Sequence, residues 1–173
     1  METEPDSMPT SGILRIMKQT VYVETSVISY LVGRPARDLI VAAHQELTHE
    51  WWDERSSGFE LVISELVEQE AGAGDPEASR VRLATIEGIA ILALSDAAVS
   101  IAEHLVDGGP IPPEAVADAL HIAIAAVNGV DYLLTWNCKH LANASRRVQI
   151  AALLEDAGYA CPVICTPEEL MEG

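Results

Sequence analysis

Residues 21–28, with the sequence VYVETSVI, place a short β-forming run directly before an apolar segment of helical character. The first three residues of this stretch favour a strand. The hydroxyl side chains of Thr25 and Ser26 suit the first turn of a helix that continues to Leu31. A strand that passes at once into a helix is the repeating unit of an α/β fold. We therefore expect an α/β protein, with Glu24 at the junction between the strand and the helix.

The alternation of short apolar runs with helical segments continues along the chain. Four further strands are predicted, at residues 59–63, 89–92, 131–134 and 162–165. This pattern predicts a mostly parallel sheet of about five strands, covered on both faces as a three-layer α/β/α sandwich. Helices are predicted over approximately residues 25–31, 37–55, 64–72, 76–88, 95–108, 112–128 and 145–157, with a last helix opened by the capping box of Thr166 and Glu169.

The length of 173 residues accommodates one domain with a substantial core. Residues 1–17 are largely polar, contain two prolines and show no period, so we expect a disordered extension or an upstream start codon. The single domain is then expected over residues 18–173. No apolar run has the length of a membrane span and no signal-peptide pattern opens the chain, so a cytoplasmic location is the default expectation.

The charge of the chain restricts the kinds of partner it can bind. The formal net charge is −17 and the sequence pI is about 4.4. Such a surface repels phosphate backbones, which excludes a basic-patch nucleic-acid binder held by counterion release. The charge is compatible with an enzyme that meets nucleic acid through bound cations, or with a protein that docks a basic partner.

The three cysteines, Cys138, Cys161 and Cys165, do not indicate a disulfide framework. In an extended segment the Cα atoms of Cys161 and Cys165 would be about 13 Å apart, too far to bridge. The spacing of Cys and His also matches no zinc site.

A single acid, Asp118, interrupts the most apolar predicted helix, within the sequence AVADALHIAIA of residues 115–125. A helix that is apolar on all sides is expected to be buried. A buried carboxylate is costly unless it is paired, hydrogen-bonded or bound to a metal ion, and this helix contains no Lys or Arg. Two readings stay open: a carboxylate satisfied by backbone or hydroxyl donors, and a metal ligand.

Glu24 ends the first predicted strand, and open α/β sheets place their ligand sites at the carboxyl ends of strands. The alternative is an exposed acid favoured by the neighbouring helix N-terminus. Thr25 and Ser26 are expected to cap the helix, and a contact from Ser26 to metal-bound water is the second possibility for that side chain.

Other polar residues are less decisive by position. Glu65, Glu68 and Glu70 share the helix after the second strand, where glutamates usually form a solvated face, so position alone does not choose among them. Asn137 follows the fourth strand, although Asn is also a common turn residue. His121 lies on nearly the same helix face as the acid three positions before it, and we expect it to be packed and hydrogen-bonded rather than a ligand or an acid–base group.

Several carboxylates gathered in one place repel one another. Two like charges about 4 Å apart cost roughly 4 kcal/mol at an effective dielectric near 20. A divalent cation removes that cost, and oxygen ligands favour Mg²⁺ or Mn²⁺.

Four segments together resemble the PIN-domain family, in particular the VapC-type toxin ribonucleases of type II toxin–antitoxin systems. The opening strand and turn resemble the family's first block, and a serine with an acid six positions on resembles the second and selects Glu70. The third is the helix that begins its motif at Asp118, and the fourth is a strand followed by Thr135 and Asn137. The segments are residues 21–28, 64–70, 118–123 and 133–137.

The resemblance implies a PIN-like fold and an Mg²⁺- or Mn²⁺-dependent endoribonuclease that hydrolyses RNA phosphodiester bonds. It implies that Glu24 and Asp118 bind the ion directly, that Glu70 and Asn137 complete the shell or act through water, and that Ser26 and Thr135 contribute more weakly. It also implies a small antitoxin partner and a homodimer.

The sequence departs from the family pattern where Glu24 and Asn137 stand in place of the usual Asp. A catalytically degenerate PIN-fold binding or scaffold protein is therefore the alternative function. A phosphohydrolase of another α/β family, with acids at its strand ends, is the third possibility.

Overall fold

A computed structural model describes residues 17–171, so all but the last residue of the extension predicted over residues 1–17 lies outside the described residues. The described part of the chain contains five strands in one sheet, and all four strand pairs are parallel. The strands are β1 (Thr20–Val23), β2 (Glu60–Ser64), β3 (Ala90–Leu92), β4 (Tyr132–Leu134) and β5 (Val163–Cys165), in the order β3-β2-β1-β4-β5.

Helices flank this sheet, which confirms the predicted three-layer α/β/α architecture. They are α1 (Thr25–Val32), α2 (Leu39–Glu54), α3 (Glu65–Ala71), α4 (Pro76–Ile86), α5 (Asp96–Asp107), α6 (Val116–Val127) and α7 (Ala144–Asp156). In one group of helices, α1 contacts α2, α3 and α4; in the other, α5 packs against α6 and α7. Within the described residues, no helix is both long enough and apolar enough to span a membrane.

The central position of β1 explains why its sequence is continuously apolar. Val21, Tyr22 and Val23 are fully buried, because a central strand of a parallel sheet is covered on both faces. The edge strands are more open, with Ile91 of β3 and Val163 of β5 about half exposed. The parallel register brings the carboxyl ends of β1, β2 and β4 to the same edge of the sheet.

Two predicted helix starts differ from the structure. The predicted capping box does form: the backbone N–H of Thr166 donates to Glu169 Oε2 (2.9 Å), and that of Glu169 donates to Thr166 Oγ1 (3.2 Å). Residues 167–170 nevertheless form a turn and not the predicted helix. A single helical turn fixes several residues for few hydrogen bonds and is unfavourable unless the helix propagates.

The helix predicted from residue 112 begins later, at Val116. Pro113–Ala115 form a separate 3₁₀ turn. Ala115 adopts φ −111° and ψ 35°, which is outside helical geometry and separates the turn from α6.

Candidate functional site

Glu24 lies at the junction of β1 and α1 and is the N-cap residue of α1. It is buried, and its backbone N–H donates to the Leu134 carbonyl of β4 (3.0 Å). Its Oε1 accepts the Ser26 backbone N–H (3.1 Å), and its Oε2 accepts the hydroxyls of Ser26 and of Thr135, the latter at 2.7 Å. The carboxylate therefore caps α1 at the carboxyl edge of the sheet. It is buried, so the alternative of an exposed acid was wrong, and its role as a ligand stays a prediction.

The second acid at this edge is Glu70, which reaches it from α3. Its Oε2 accepts the Thr25 hydroxyl and lies 3.1 Å from Nε2 of His121. Burial opposes ionisation of Glu70, but the hydrogen bonds and charge of its neighbours outweigh burial and hold the pKa of this carboxyl below its usual range. Glu65, by contrast, is exposed and accepts the Leu94 backbone N–H (2.9 Å). The contacts of Glu70 and Glu65 thus distinguish these two glutamates of α3, whereas their positions in the sequence do not.

A buried hydrogen-bonded chain leads from Glu70 into the core. His121 is 1% exposed, and its Nδ1 lies 2.7 Å from the Tyr22 hydroxyl. The Tyr22 hydroxyl lies 2.6 Å from Ser64 Oγ, which also accepts the Val67 backbone N–H (3.3 Å). Burial raises the pKa of Tyr22 far above its usual value, so this phenol is neutral. His121 is packed and hydrogen-bonded, as expected.

Neither Tyr22 nor Ser64 was predicted from the sequence to belong to this series of hydrogen bonds. The available signal was the phenol in a strand predicted to be buried, because a buried tyrosine hydroxyl needs a hydrogen-bond partner. That the partner would be an imidazole bound to an acid of the candidate site was not predictable from local pattern.

Glu24, Glu70 and His121 form a cluster in which one ligand atom from each lies within 4.8 Å of the others. Nε2 of His121 is 4.0 Å from Oε1 of Glu24. Atoms about 2.1 Å from one octahedral ion are about 3 Å apart when adjacent and about 4.2 Å apart when opposite. Two carboxylates and an imidazole at these separations are close enough together to hold one metal ion. We refer to these three residues as the acid–imidazole cluster.

Asp118 is not a member of the acid–imidazole cluster among the described residues. Asp118 is half-buried, and its neighbours Val116 and Ala117 in the first turn of α6 are exposed. The expectation that this helix is buried on all sides was therefore wrong for its first turn. Burial raises the pKa of Asp118, a hydrogen bond from Asn137 opposes that rise, and the charge of Glu24 adds to it. Asp118 consequently lies close enough to Glu24 for the two charges to interact.

Asn137 connects Asp118 to the loop after β4. Its Nδ2 donates to Asp118 Oδ1 (2.9 Å), and its backbone N–H donates to Thr135 Oγ1 (2.9 Å). The backbone N–H of Trp136 donates to Ser26 Oγ (2.8 Å). Hydrogen bonds thus join five of the predicted site residues, Glu24, Ser26, Thr135, Asn137 and Asp118. Glu70 stands apart from them, bonded to Thr25 and His121.

Trp136, which the sequence analysis did not single out, anchors the same loop to α2. Its Nε1 donates to Thr48 Oγ1 (2.7 Å), and its ring stacks on His44 with centroids 4.0 Å apart. The indole is buried and fixes the backbone on which Thr135 and Asn137 are presented.

The cysteines take no part in this arrangement. All three are unpaired, as expected. Burial raises the pKa of Cys161 to about 11 and that of Cys165 to about 12, so both thiols are protonated at neutral pH.

Comparison with known proteins identifies the fold. No protein-family model matches the sequence, and no curated protein matches it. Among solved structures, VapBC2 from Rickettsia felis, bound to a DNA fragment from its promoter, aligns with a TM-score of 0.54 and 12% identity over 86% of this chain and 98% of that one. VapC20 from Mycobacterium tuberculosis, a Sarcin-Ricin loop cleaving toxin, aligns with a TM-score of 0.55 and 17% identity over 72% of this chain and 95% of that one. The chain has a VapC-like PIN fold, as the resemblance implied.

Proposed function

We propose that the protein is a metal-dependent endoribonuclease that hydrolyses RNA phosphodiester bonds and acts as the toxin of a toxin–antitoxin pair. The observation that carries this proposal is the convergence of Glu24 and Glu70 on the buried His121 at the carboxyl edge of a sheet with a VapC-like fold. A similar structure, VapC20, is a toxin that cleaves the Sarcin-Ricin loop. The fold thus has a precedent for cleavage of this type.

The proposed ligands of an Mg²⁺ or Mn²⁺ ion are Glu24 and Asp118, with Glu70 and Asn137 in the shell directly or through water. The place of Glu70 in the acid–imidazole cluster supports it as a third direct ligand. His121 offers the only nitrogen of that cluster. When bound, a divalent ion lowers the pKa of a coordinated water and neutralises charge that develops on the phosphate.

The contacts of the chain itself keep these side chains in place for the reaction. The hydroxyls of Ser26 and Thr135 hold the Glu24 carboxylate, and Thr25 with His121 holds that of Glu70. Because the pKa of Glu70 lies below its usual range, this group stays ionised at neutral pH and remains a hydrogen-bond acceptor for an attacking water. Preorganised groups of this kind need little rearrangement when the substrate binds.

Cleavage of a labelled RNA with Mn²⁺ and with EDTA tests the proposal, using the wild type and Asp118→Asn. We expect cleavage that requires Mn²⁺ and is lost in Asp118→Asn, because the amide removes a charged ligand. Asp53→Asn, an exposed acid on α2, is the matched control and should cleave normally. Cleavage in EDTA, or cleavage that survives Asp118→Asn, contradicts the proposal.

A specific observation favours the second candidate, a catalytically degenerate PIN-fold binding or scaffold protein. Side chains of the protein itself, Ser26, Thr135, Thr25 and His121, make hydrogen bonds to the carboxylates of Glu24 and Glu70. A degenerate site would stay free of metal at millimolar Mn²⁺, whereas a crystal soaked in Mn²⁺ that shows an ion on Glu24 contradicts this candidate.

The proposed partner is a small antitoxin, and the proposed location is the cytoplasm. The net charge of −17 suits a partner with a basic docking segment. We also propose a homodimer. If a small basic open reading frame lies just upstream of the gene, co-expression with it should yield a stable complex in which cleavage is blocked. Light scattering on the isolated protein measures the oligomeric state.

A further inference from the structure

The segment that follows the fourth strand differs in charge from the rest of the chain. Residues 132–154 contain no Asp or Glu, although the chain has 27 of them. Three of the ten Lys and Arg residues lie within this stretch, at Lys139, Arg146 and Arg147. We refer to residues 138–147 as the basic segment.

The basic segment adjoins the candidate site through Asn137. The amide nitrogen of this residue donates to Asp118 (2.9 Å), and its Oδ1 accepts the backbone N–H of His140 (3.1 Å). Nη1 of Arg146 lies 3.2 Å from Nδ1 of His140 and donates to the Pro110 carbonyl (3.2 Å). An arginine only donates, so Nδ1 of His140 accepts and the imidazole carries its proton on Nε2.

Two of the three charges in the basic segment lack a carboxylate partner. Arg147 is paired with Glu169 (3.1 Å). Between residues 17 and 171, no carboxylate lies within ion-pair distance of Lys139 or Arg146. Lys139 is exposed, and Arg146 is half-buried. Both charges are therefore available to an anion that approaches the acids.

We propose that Lys139 and Arg146 bind the phosphate backbone of RNA next to the cleavage site. This inference rests on the proposed ribonuclease function. The charge of −17 excludes RNA binding through the surface as a whole, and the acid–imidazole cluster repels the scissile phosphate, so the contact proposed is confined to these two side chains. Positive charges next to Asn137 and Asp118 act within a Debye length of about 8 Å at physiological salt and attract the flanking phosphates. No acidic residue of the basic segment itself opposes this attraction.

Binding without cleavage tests this inference separately from the reaction. Fluorescence anisotropy with a labelled single-stranded RNA, in EDTA and at several NaCl concentrations, compares the wild type with Lys139→Gln. Each phosphate contact contributes a slope of about −0.7 in log K against log salt, which corresponds to about five-fold in affinity at 0.1 M salt. We expect Lys139→Gln to bind about five-fold more weakly, and the double variant with Arg146→Gln about 25-fold more weakly, each with a reduced slope.

Lys18→Gln is the matched control, because Lys18 precedes β1 at the opposite end of the sheet and contacts the Ser57 carbonyl. It should bind as the wild type does. The Lys139 side chain makes no hydrogen bond within residues 17–171, and its backbone carbonyl, which accepts from Asn143, is kept in the variant, so Lys139→Gln changes charge without removing a structural contact. Equal affinity and slope for wild type and Lys139→Gln overturn the proposal even if RNA is cleaved with Mn²⁺. Loss of RNA binding in this variant supports it even if no cleavage is found.

A polyglutamate peptide serves as the second probe. If Lys139→Gln weakens the peptide and leaves RNA binding unchanged, the basic segment is a surface for an acidic protein, and the proposal is wrong.

Discussion

Nε2 of His121 lies 3.1 Å from Oε2 of Glu70, although 51 positions separate the two residues in the chain. The imidazole is also held on its other nitrogen by the Tyr22 hydroxyl, at 2.7 Å. Because the ring is almost fully buried and bound at both nitrogens, its orientation is fixed by the central strand. The position of Glu70 is therefore set by the core and by Thr25, as well as by its own helix.

This relationship predicts a difference between two glutamates on α3. Glu70→Gln removes the charge that faces His121, and Glu68→Gln removes a charge two positions away that makes no described contact with the acid–imidazole cluster. Even partners that only orient a metal ligand commonly contribute about 10- to 100-fold to activity. We expect Glu70→Gln to lower RNA cleavage at least that much and Glu68→Gln to leave it near wild type. Equal rates for the two variants would remove Glu70 from the proposed site.

Tyr22→Phe should destabilise the protein. The change leaves Nδ1 of His121 and Oγ of Ser64 without a partner that each has in the wild type. A buried polar group left unsatisfied costs about 1–3 kcal/mol, and urea unfolding measures this loss. Tyr159→Phe, at a half-buried tyrosine whose hydroxyl has no hydrogen bond within residues 17–171, should change stability little. If both variants unfold at the same urea concentration, the hydrogen bonds of the Tyr22 hydroxyl make no net contribution to the free energy of unfolding.

Asp118 and Glu70 should affect stability with opposite dependence on pH in the metal-free protein. The folded-state pKa of Asp118 is raised, so ionisation of this group favours the unfolded chain, and the penalty is present above the folded pKa and vanishes as pH falls. Asp118→Asn should therefore raise the free energy of unfolding at pH 7 and lose this advantage at acid pH. The amide can still accept the hydrogen bond from Asn137. A variant less stable than wild type at pH 7 contradicts this prediction.

For Glu70 the sign is reversed. The folded-state pKa is lowered, so ionisation stabilises the folded chain, fully above the unfolded pKa near 4.5 and progressively less as pH falls through the folded pKa. Glu70→Gln should lower the free energy of unfolding at pH 7, and the difference from wild type should narrow below pH 4.5. Urea unfolding at a series of pH values measures it. If the difference in the free energy of unfolding between wild type and Glu70→Gln does not change with pH, the loss of stability arises from packing and not from charge.

Mn²⁺ should stabilise the wild type against thermal unfolding. An ion that binds only the folded state at about 100 times its Kd adds about 2.7 kcal/mol. Glu24→Gln should lose most of this stabilisation, whereas Glu60→Gln, on an exposed position of β2, should retain it. A Mn²⁺-induced shift of the same size in Glu24→Gln would show that the ion binds elsewhere.

The sheet was predictable because its strands are short apolar runs with strong local signals. Residues 21–23 lie in the central strand, where burial on both faces requires an uninterrupted apolar sequence. The prediction for the end of the chain was wrong, because the capping box at Thr166 specifies a start and says nothing about propagation. A capping pattern thus marks where a helix can begin and does not show whether a helix follows.

The candidate site was predictable only in part, since its contacts are distant in sequence. Motif spacing selected Glu70, and its contact with His121 across 51 positions has no local signature. The burial expected for Asp118 was overestimated, and that of Glu24 was left undecided, because apolar neighbours in sequence do not show which helical turn reaches the surface.

Glu24 is the N-cap of α1 and also a member of the acid–imidazole cluster, so one side chain serves folding and the proposed chemistry. Replacing an N-cap by a residue that cannot accept the hydrogen bond costs about 1 kcal/mol. A genetic selection for variants that do not harm the host cell would then recover two kinds of allele. Changes at residue 24 should reduce the amount of protein in the cell, whereas changes at Asp118 should leave a full amount of inactive protein, so immunoblots of the survivors would distinguish a loss of folding from a loss of activity.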